Sequence, residues 1–199
     1  ILGPDGAKLS KRQGGVSVEE YRNEGYLPGA LVNHLILLGW YPGEGHEVMT
    51  LQEAVGMFDI AQMGDVQAKF DLQKLRWLNA AHIMKKTSAE LLPLIKSHLI
   101  AAGVPLSGVS DEFLLRLIDL YKIRLKTLRD FVEMTDCFFR EDFAVDEEGK
   151  KKYLSKPENI ENIRLLADRL EALPSFTAAG IETASRALAE ERGLKAAGL

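Results

Sequence analysis

Pro28-Gly29-Ala30-Leu31-Val32-Asn33-His34-Leu35-Ile36-Leu37-Leu38-Gly39 sets a helix start and a helix stop around a nearly unbroken apolar run. Proline suits a first helical turn, where its missing N–H would be unpaired in any case and its fixed φ already fits. Residues Ala30 to Leu38 are apolar at almost every position, so the pattern predicts a helix buried on most sides, ending at Gly39 and forming the core of a first structural unit. His34 is expected to be a hydrogen-bonded packing histidine, because no Cys, Asp or Glu stands at ligand spacing on the same face.

Working outward, the flanking segments repeat the same grammar. Ser17 with Glu20, Thr50 with Glu53 and Thr87 with Glu90 are capping-box pairs, and Asp71 stands where it would cap a helix carrying Leu72, Leu75 and Leu78, with Trp77 placed in the core. Gly25 and Gly103 supply stops, Tyr41 to His46 is a loop by its turn residues, and Pro93 is expected to kink its helix. Further on, Phe113, Leu114, Leu117, Ile118 and Tyr121 follow a 3.6 period, as do Ile160, Ile163, Ala167 and Leu170, and then Ile181, Ala184, Ala187 and Leu188 up to Gly193. The Cys137-Phe138-Phe139 run is too short to type. The fold class is therefore mainly α, with a boundary expected around Ala101-Ala102-Gly103-Val104-Pro105. That divides the chain into residues 1–100 and an all-helical bundle over residues 101–199.

Lys8-Leu9-Ser10-Lys11-Arg12 lies between glycine-bearing turns and serves chemistry more readily than packing. Two lysines three apart, with a small hydroxyl residue between them, can hold the oxygens of a leaving polyphosphate and stabilise charge developing on it. Gly3, Gly6, Gly14 and Gly15 let that backbone swing. Taken alone, these residues are better explained as a solvated basic turn.

The wider string Gly3-Pro4-Asp5-Gly6-Ala7-Lys8-Leu9-Ser10-Lys11-Arg12-Gln13-Gly14-Gly15 resembles the signature loop of class I aminoacyl-tRNA synthetases in its glutamyl form. In the same order, Tyr26 to Leu35, Leu37-Leu38-Gly39-Trp40, Phe70 to Asn79, Thr127 to Phe131, Phe138 to Asp142 and Arg192 to Lys195 resemble bacterial-type glutamyl-tRNA synthetases. The resemblance implies a signature loop and stem-contact region over 1–100 and a C-terminally incomplete anticodon-binding helical domain over 101–199. It also implies ATP, bound with Mg, and glutamate as substrates of the full-length enzyme, and tRNA as partner. Lys11 and Lys8 take the catalytic roles by that resemblance, with Leu9, Ser10 and Arg12 completing the ATP-binding loop. No His-Ile-Gly-His-type motif precedes the loop, so the chain is expected to be a fragment that binds no ATP and is inactive by itself. ATP–pyrophosphate exchange at the level of a blank is the expected result, and exchange above it would overturn that expectation.

Composition narrows the remaining choices. The 199 residues are 46% hydrophobic, enough to fill a core, and there is no run of about 18 apolar residues such as a membrane span needs. A single cysteine, Cys137, excludes an internal disulfide and a multi-cysteine zinc site, which points to a cytoplasmic-type compartment. The expected state is a monomer. A net charge of -4 is unusual for a nucleic-acid binder, so binding must rest on local clusters. Lys122, Arg124, Lys126 and Arg129 form one such cluster, and Lys150, Lys151, Lys152 and Lys156 another. By the resemblance, Arg124 aligns with an arginine that reads an anticodon base, a role its planar fork of donors suits and a lysine does not. Two alternatives stand against this. A truncated paralogue that glutamylates a modified base would lack the residues after about 100, and a helical protein-interaction module would show no salt-dependent RNA binding.

Overall fold

The computed structural model describes residues 17–43, 45–63, 69–143 and 145–194; the lysine loop and its five candidate residues, Lys8 to Arg12, lie outside them. The described residues form α-helices joined by short turns. In order these are α1 (Val18–Asn23), α2 (Pro28–Leu37), α3 (Leu51–Met57), α4 (Leu72–Lys85), α5 (Ser88–Ala101), α6 (Asp111–Tyr121), α7 (Leu128–Thr135), α8 (Glu147–Tyr153), α9 (Pro157–Glu171) and α10 (Ala178–Glu191). The only β pairing among the described residues is an isolated bridge between Trp40 and Met63. The chain divides into two compact units, Ile1–Phe143 and Ala144–Leu199. Ala101 ends α5 and Ala102 to Pro105 open its link to α6; the two helices pack on one another within the first unit.

The helix starts are those the sequence signals. Ser17, Thr50 and Thr87 each accept from the backbone N–H three residues on, while the glutamate at that position reaches back to the cap's own N–H. Asp71 accepts from the N–H groups of Gln73 and Lys74 at 2.8 and 3.1 Å. Each cap satisfies donors that have no intrahelical partner, contributing about 1 kcal/mol. Thr127 forms a further capping box with Asp130, ahead of α7.

In the first unit the main core lies among α4 to α7. Ile83, Leu91, Ile95, Leu99, Leu114, Leu117, Ile118, Leu128 and Phe131 meet there, joined by Leu27 and Ala30 from the start of α2. Each fully buried aliphatic or aromatic side chain contributes about 1.5–3 kcal/mol of transfer free energy. The apolar run of α2 is not buried on most sides. Only Ala30, Asn33 and His34 are buried within it, because a single stripe faces α4. Leu35 and Ile36 instead line an apolar groove of about 420 Å³ with Trp40, Val55, Phe58 and Met63. A second small core of Trp40, Met49 and Ala54 lies beneath it.

His34 packs its ring edge-on to Phe70, with centroids 4.7 Å apart, but neither ring nitrogen has a hydrogen-bond partner among the described residues. It is a packing histidine without the expected bond. Burial holds its pKa below the ordinary 6.5, and burial does the same for His82 and His98. The unfolded chain takes up these protons near pH 6.5 and the folded unit only at lower pH, so the stability they confer is complete above 6.5 and lost as pH falls. The melting temperature of the first unit should therefore decline between about pH 7.5 and about pH 5. The His34→Phe variant should show a shallower decline, and an unchanged slope would remove His34 as a source.

In the second unit α9 and α10 pack together, with Asn162 buried and accepting from Arg192 Nε at 2.8 Å. Arg169 bonds Glu191 across the same pair. The inward face of α9 is not the expected apolar stripe: Ile160 and Ile163 are exposed, whereas Asn162, Leu165, Leu166 and Arg169 turn inward. Asn162 can be buried here because Arg192 satisfies its amide oxygen.

Candidate nucleic-acid interface

The stretch from Lys122 to Arg129 turns the chain from α6 into α7. Helix α6 ends at Tyr121 and a 3-10 turn covers Lys122–Arg124. Leu125 is buried and plugs the turn into the main core, so the residues on either side of it face outward. Beneath the turn lies an aromatic cluster. Tyr121 sits edge-on to Phe131 and Phe138, with centroids 6.4 and 6.1 Å away, and Phe113 sits edge-on to Phe138 and Phe139, each at 6.4 Å.

The four basic residues of this stretch have different occupations. Lys122 is half-buried and its ammonium donates to the carbonyl of Lys86, at the C-terminal end of α4, where the helix dipole favours a cation. Arg129 is bound to acids: Nη1 lies 2.7 Å from Glu24 and Nε 3.4 Å from Glu133. Arg124 is exposed, with its guanidinium carbon 5.8 Å from the centroid of the Tyr121 ring. Lys126 is exposed, and neither it nor Arg124 forms an ion pair among the described residues. The turn thus brings Arg124 and Lys126 together as available donors, while Lys122 and Arg129 hold the structure.

A concave patch of about 420 Å³ lies beside the turn, lined by Tyr21, Glu24, Tyr26, Leu72, Arg76, Thr127, Arg129, Asp130 and Glu133. Arg76 and Trp77 are both exposed on α4. Trp77 is 48% exposed rather than in the core, because Leu75, Leu78 and Asn79 take the inward positions of that helix. The second basic cluster is solvated. Lys150, Lys151 and Lys152 are exposed on α8, with Lys150 3.7 Å from Glu147 and Lys152 4.9 Å from the Tyr153 ring centroid.

Residues 72–199 match the family described as anticodon binding domain, and residues 1–77 match the catalytic domain of class I tRNA synthetases (E and Q). A glutamate-tRNA ligase of Caldicellulosiruptor saccharolyticus is 36% identical over 199 residues, all of this chain and 41% of the relative. The glutamate-tRNA ligase of Desulforudis audaxviator is 36% identical over 98% of the chain and 40% of the relative. The chain belongs to the glutamyl-tRNA synthetase family. A crystal structure of a glutamate tRNA ligase from Elizabethkingia meningosepticum superposes with a TM-score of 0.81 at 30% identity, covering all of this chain and 42% of that one. The chain thus spans about two fifths of the length of these synthetases. The two family matches overlap at residues 72–77, the opening turns of α4, so the helix that carries Arg76 and Trp77 belongs to both. Helical architecture and family agree with the resemblance read from the signature loop.

Proposed function

We propose that this chain is the tRNA-binding part of a glutamate-tRNA ligase, an enzyme that activates glutamate with ATP and transfers it to tRNA. Residues 1–100 act as signature loop and stem-contact region and residues 101–199 as the anticodon-binding domain. That functional division falls inside the first compact unit, so the two roles share one core. Lys11 and Lys8 stabilise the charge that develops on pyrophosphate leaving magnesium-bound ATP, with Leu9, Ser10 and Arg12 shaping the loop. The observation that carries the RNA reading is the contrast within one turn: Arg124 and Lys126 are exposed without acidic partners among the described residues, while Lys122 and Arg129 are bonded to the protein.

Arg124 takes the base-reading role. Its guanidinium carbon lies 5.8 Å from the Tyr121 ring centroid, and its exposed planar fork of donors suits the edge of a splayed-out loop base. Lys126 supplies a phosphate contact. The test is a titration of the chain with a glutamate tRNA and its anticodon-swapped counterpart across a salt series. Arg124→Gln should erase the preference for the cognate anticodon, by about 5- to 100-fold if the contact is bidentate. Lys126→Ala should weaken both tRNAs alike and reduce the salt slope by about 1. An unchanged preference in Arg124→Gln would remove Arg124 from the reading role. RNA binding that does not respond to salt would favour a protein-interaction module instead.

A further inference from the structure

We propose that Asn79 is a positioning residue for base reading: its side-chain amide locks the Lys122–Lys126 turn against the link between α1 and α2, and so sets where Arg124 is presented. This deepens the role given to Arg124 and rests on it. Asn79 is fully buried in the middle of α4. Its Oδ1 accepts from the backbone N–H of Leu27 at 2.7 Å, while its Nδ2 donates to the carbonyl of Lys126 at 2.7 Å and approaches that of Gly25 at 3.4 Å. One planar group therefore joins two backbone segments about a hundred residues apart in sequence, and only a carboxamide offers an acceptor and two donors on one short stem.

The turn is gripped from its other sides as well. Asp130 accepts from the N–H of Lys126 at 2.7 Å, so the N–H of that residue is held by α7 and its C=O by Asn79. Lys122, at the other end of the turn, bonds the carbonyl of Lys86. Both ends are thus fastened to α4, with Arg124 between them over Tyr121. Gly25 and Leu27 lie in the segment that matches the catalytic-domain family, and Lys126 in the segment that matches the anticodon-binding family. Leu128 N–H also bonds the Gly25 carbonyl and Arg129 pairs with Glu24, but Asn79 is the group that ties the first segment to the backbone of the turn itself.

The test separates a positioning role from a merely structural one by reading a ratio. Asn79→Asp keeps the acceptor for Leu27 but sets a carboxylate oxygen against the carbonyl of Lys126, releasing the turn. The preference of the chain for a glutamate tRNA transcript over the same transcript with a swapped anticodon should then fall by at least about fivefold, the lower end of what one bidentate base contact contributes. Ile95→Val, in the same core but away from the turn, should lower thermal stability and leave the ratio unchanged. Asp130→Ala removes the acceptor for the N–H groups of Lys126 and Thr127, loosens the turn from the α7 side and should lower the ratio in the same direction, which covers the case in which Asn79→Asp does not fold. A wild-type ratio in either Asn79→Asp or Asp130→Ala overturns the positioning role, as does an equal fall in Ile95→Val. If the wild-type chain itself does not distinguish the two transcripts, the reading of Arg124 fails and this inference with it.

Discussion

Gly25→Ala is expected to lower the unfolding free energy of the first unit by about 3 kcal/mol or more, the sum of a conformational and a steric cost. Gly25 has φ +84°, where a side chain costs about 1–2 kcal/mol. A Cβ there would also lie 2.6 Å from the backbone nitrogens of both Leu128 and Arg129. Neither neighbour is a flexible side chain that can swing away. Relief requires α7 to move from the α1–α2 link, which breaks the bond from Leu128 N–H to the Gly25 carbonyl at 3.0 Å and strains the contacts of Asn79. Gly103→Ala isolates the first cost: its φ is +70°, yet none of the described residues lies within 4 Å of the added carbon. That variant should lose only about 1–2 kcal/mol. Both tryptophans, Trp40 and Trp77, lie in the first unit, so urea unfolding followed by their fluorescence reports that unit alone. Equal losses for the two glycines would show that the close approach at Gly25 carries no energy.

This pair also shows how far sequence reasoning reached. A glycine after a capping-box helix is legible as a stop, and the capping boxes at Ser17, Thr50 and Thr87 all formed, since a cap depends on residues three apart and on nothing else. That Gly25 is also the point where two backbones touch depends on residues a hundred positions away, and no local pattern carries it. The same limit explains the helix faces. Apolar periodicity marks which side of a helix is oily but not how wide a partner covers it, so α2 was expected to be more buried than it is, and α9 turned a polar asparagine inward instead of Ile160 and Ile163.

The candidate interface was legible in composition and not in geometry. Lys122, Arg124, Lys126 and Arg129 are equivalent as a run of basic residues. What separates them is the position of Glu24 and Glu133 beside Arg129, and of the end of α4 beside Lys122. Asn79 illustrates the converse. An amide in mid-helix gives no signal of its own, and its importance appears only when the backbone groups it serves are seen to belong to different segments.

Phe131→Ala should cost about 3–5 kcal/mol, the range for deleting a buried aromatic ring and leaving the space partly unfilled. Phe131 has no exposed surface and stands where α7 meets the core shared with α5 and α6. Two features keep the cavity from closing. The neighbouring Leu125 and Leu128 are pinned by the turn on one side, and Thr135, one helical turn on, is held by its hydroxyl bonding the Phe131 carbonyl at 2.6 Å. Loss of the ring also removes the edge-on support of Tyr121, whose ring centroid lies 5.8 Å from the Arg124 guanidinium. The same urea titration should therefore show a large shift in midpoint with little change in slope. At temperatures where the variant remains folded, its preference between cognate and anticodon-swapped tRNA should fall as well. Phe131→Leu, which refills most of the volume but not the flat edge, distinguishes the two effects: stability should largely return while the preference stays reduced. Full recovery of both would mean that Tyr121 is held by packing volume alone and that the aromatic contact does not orient Arg124.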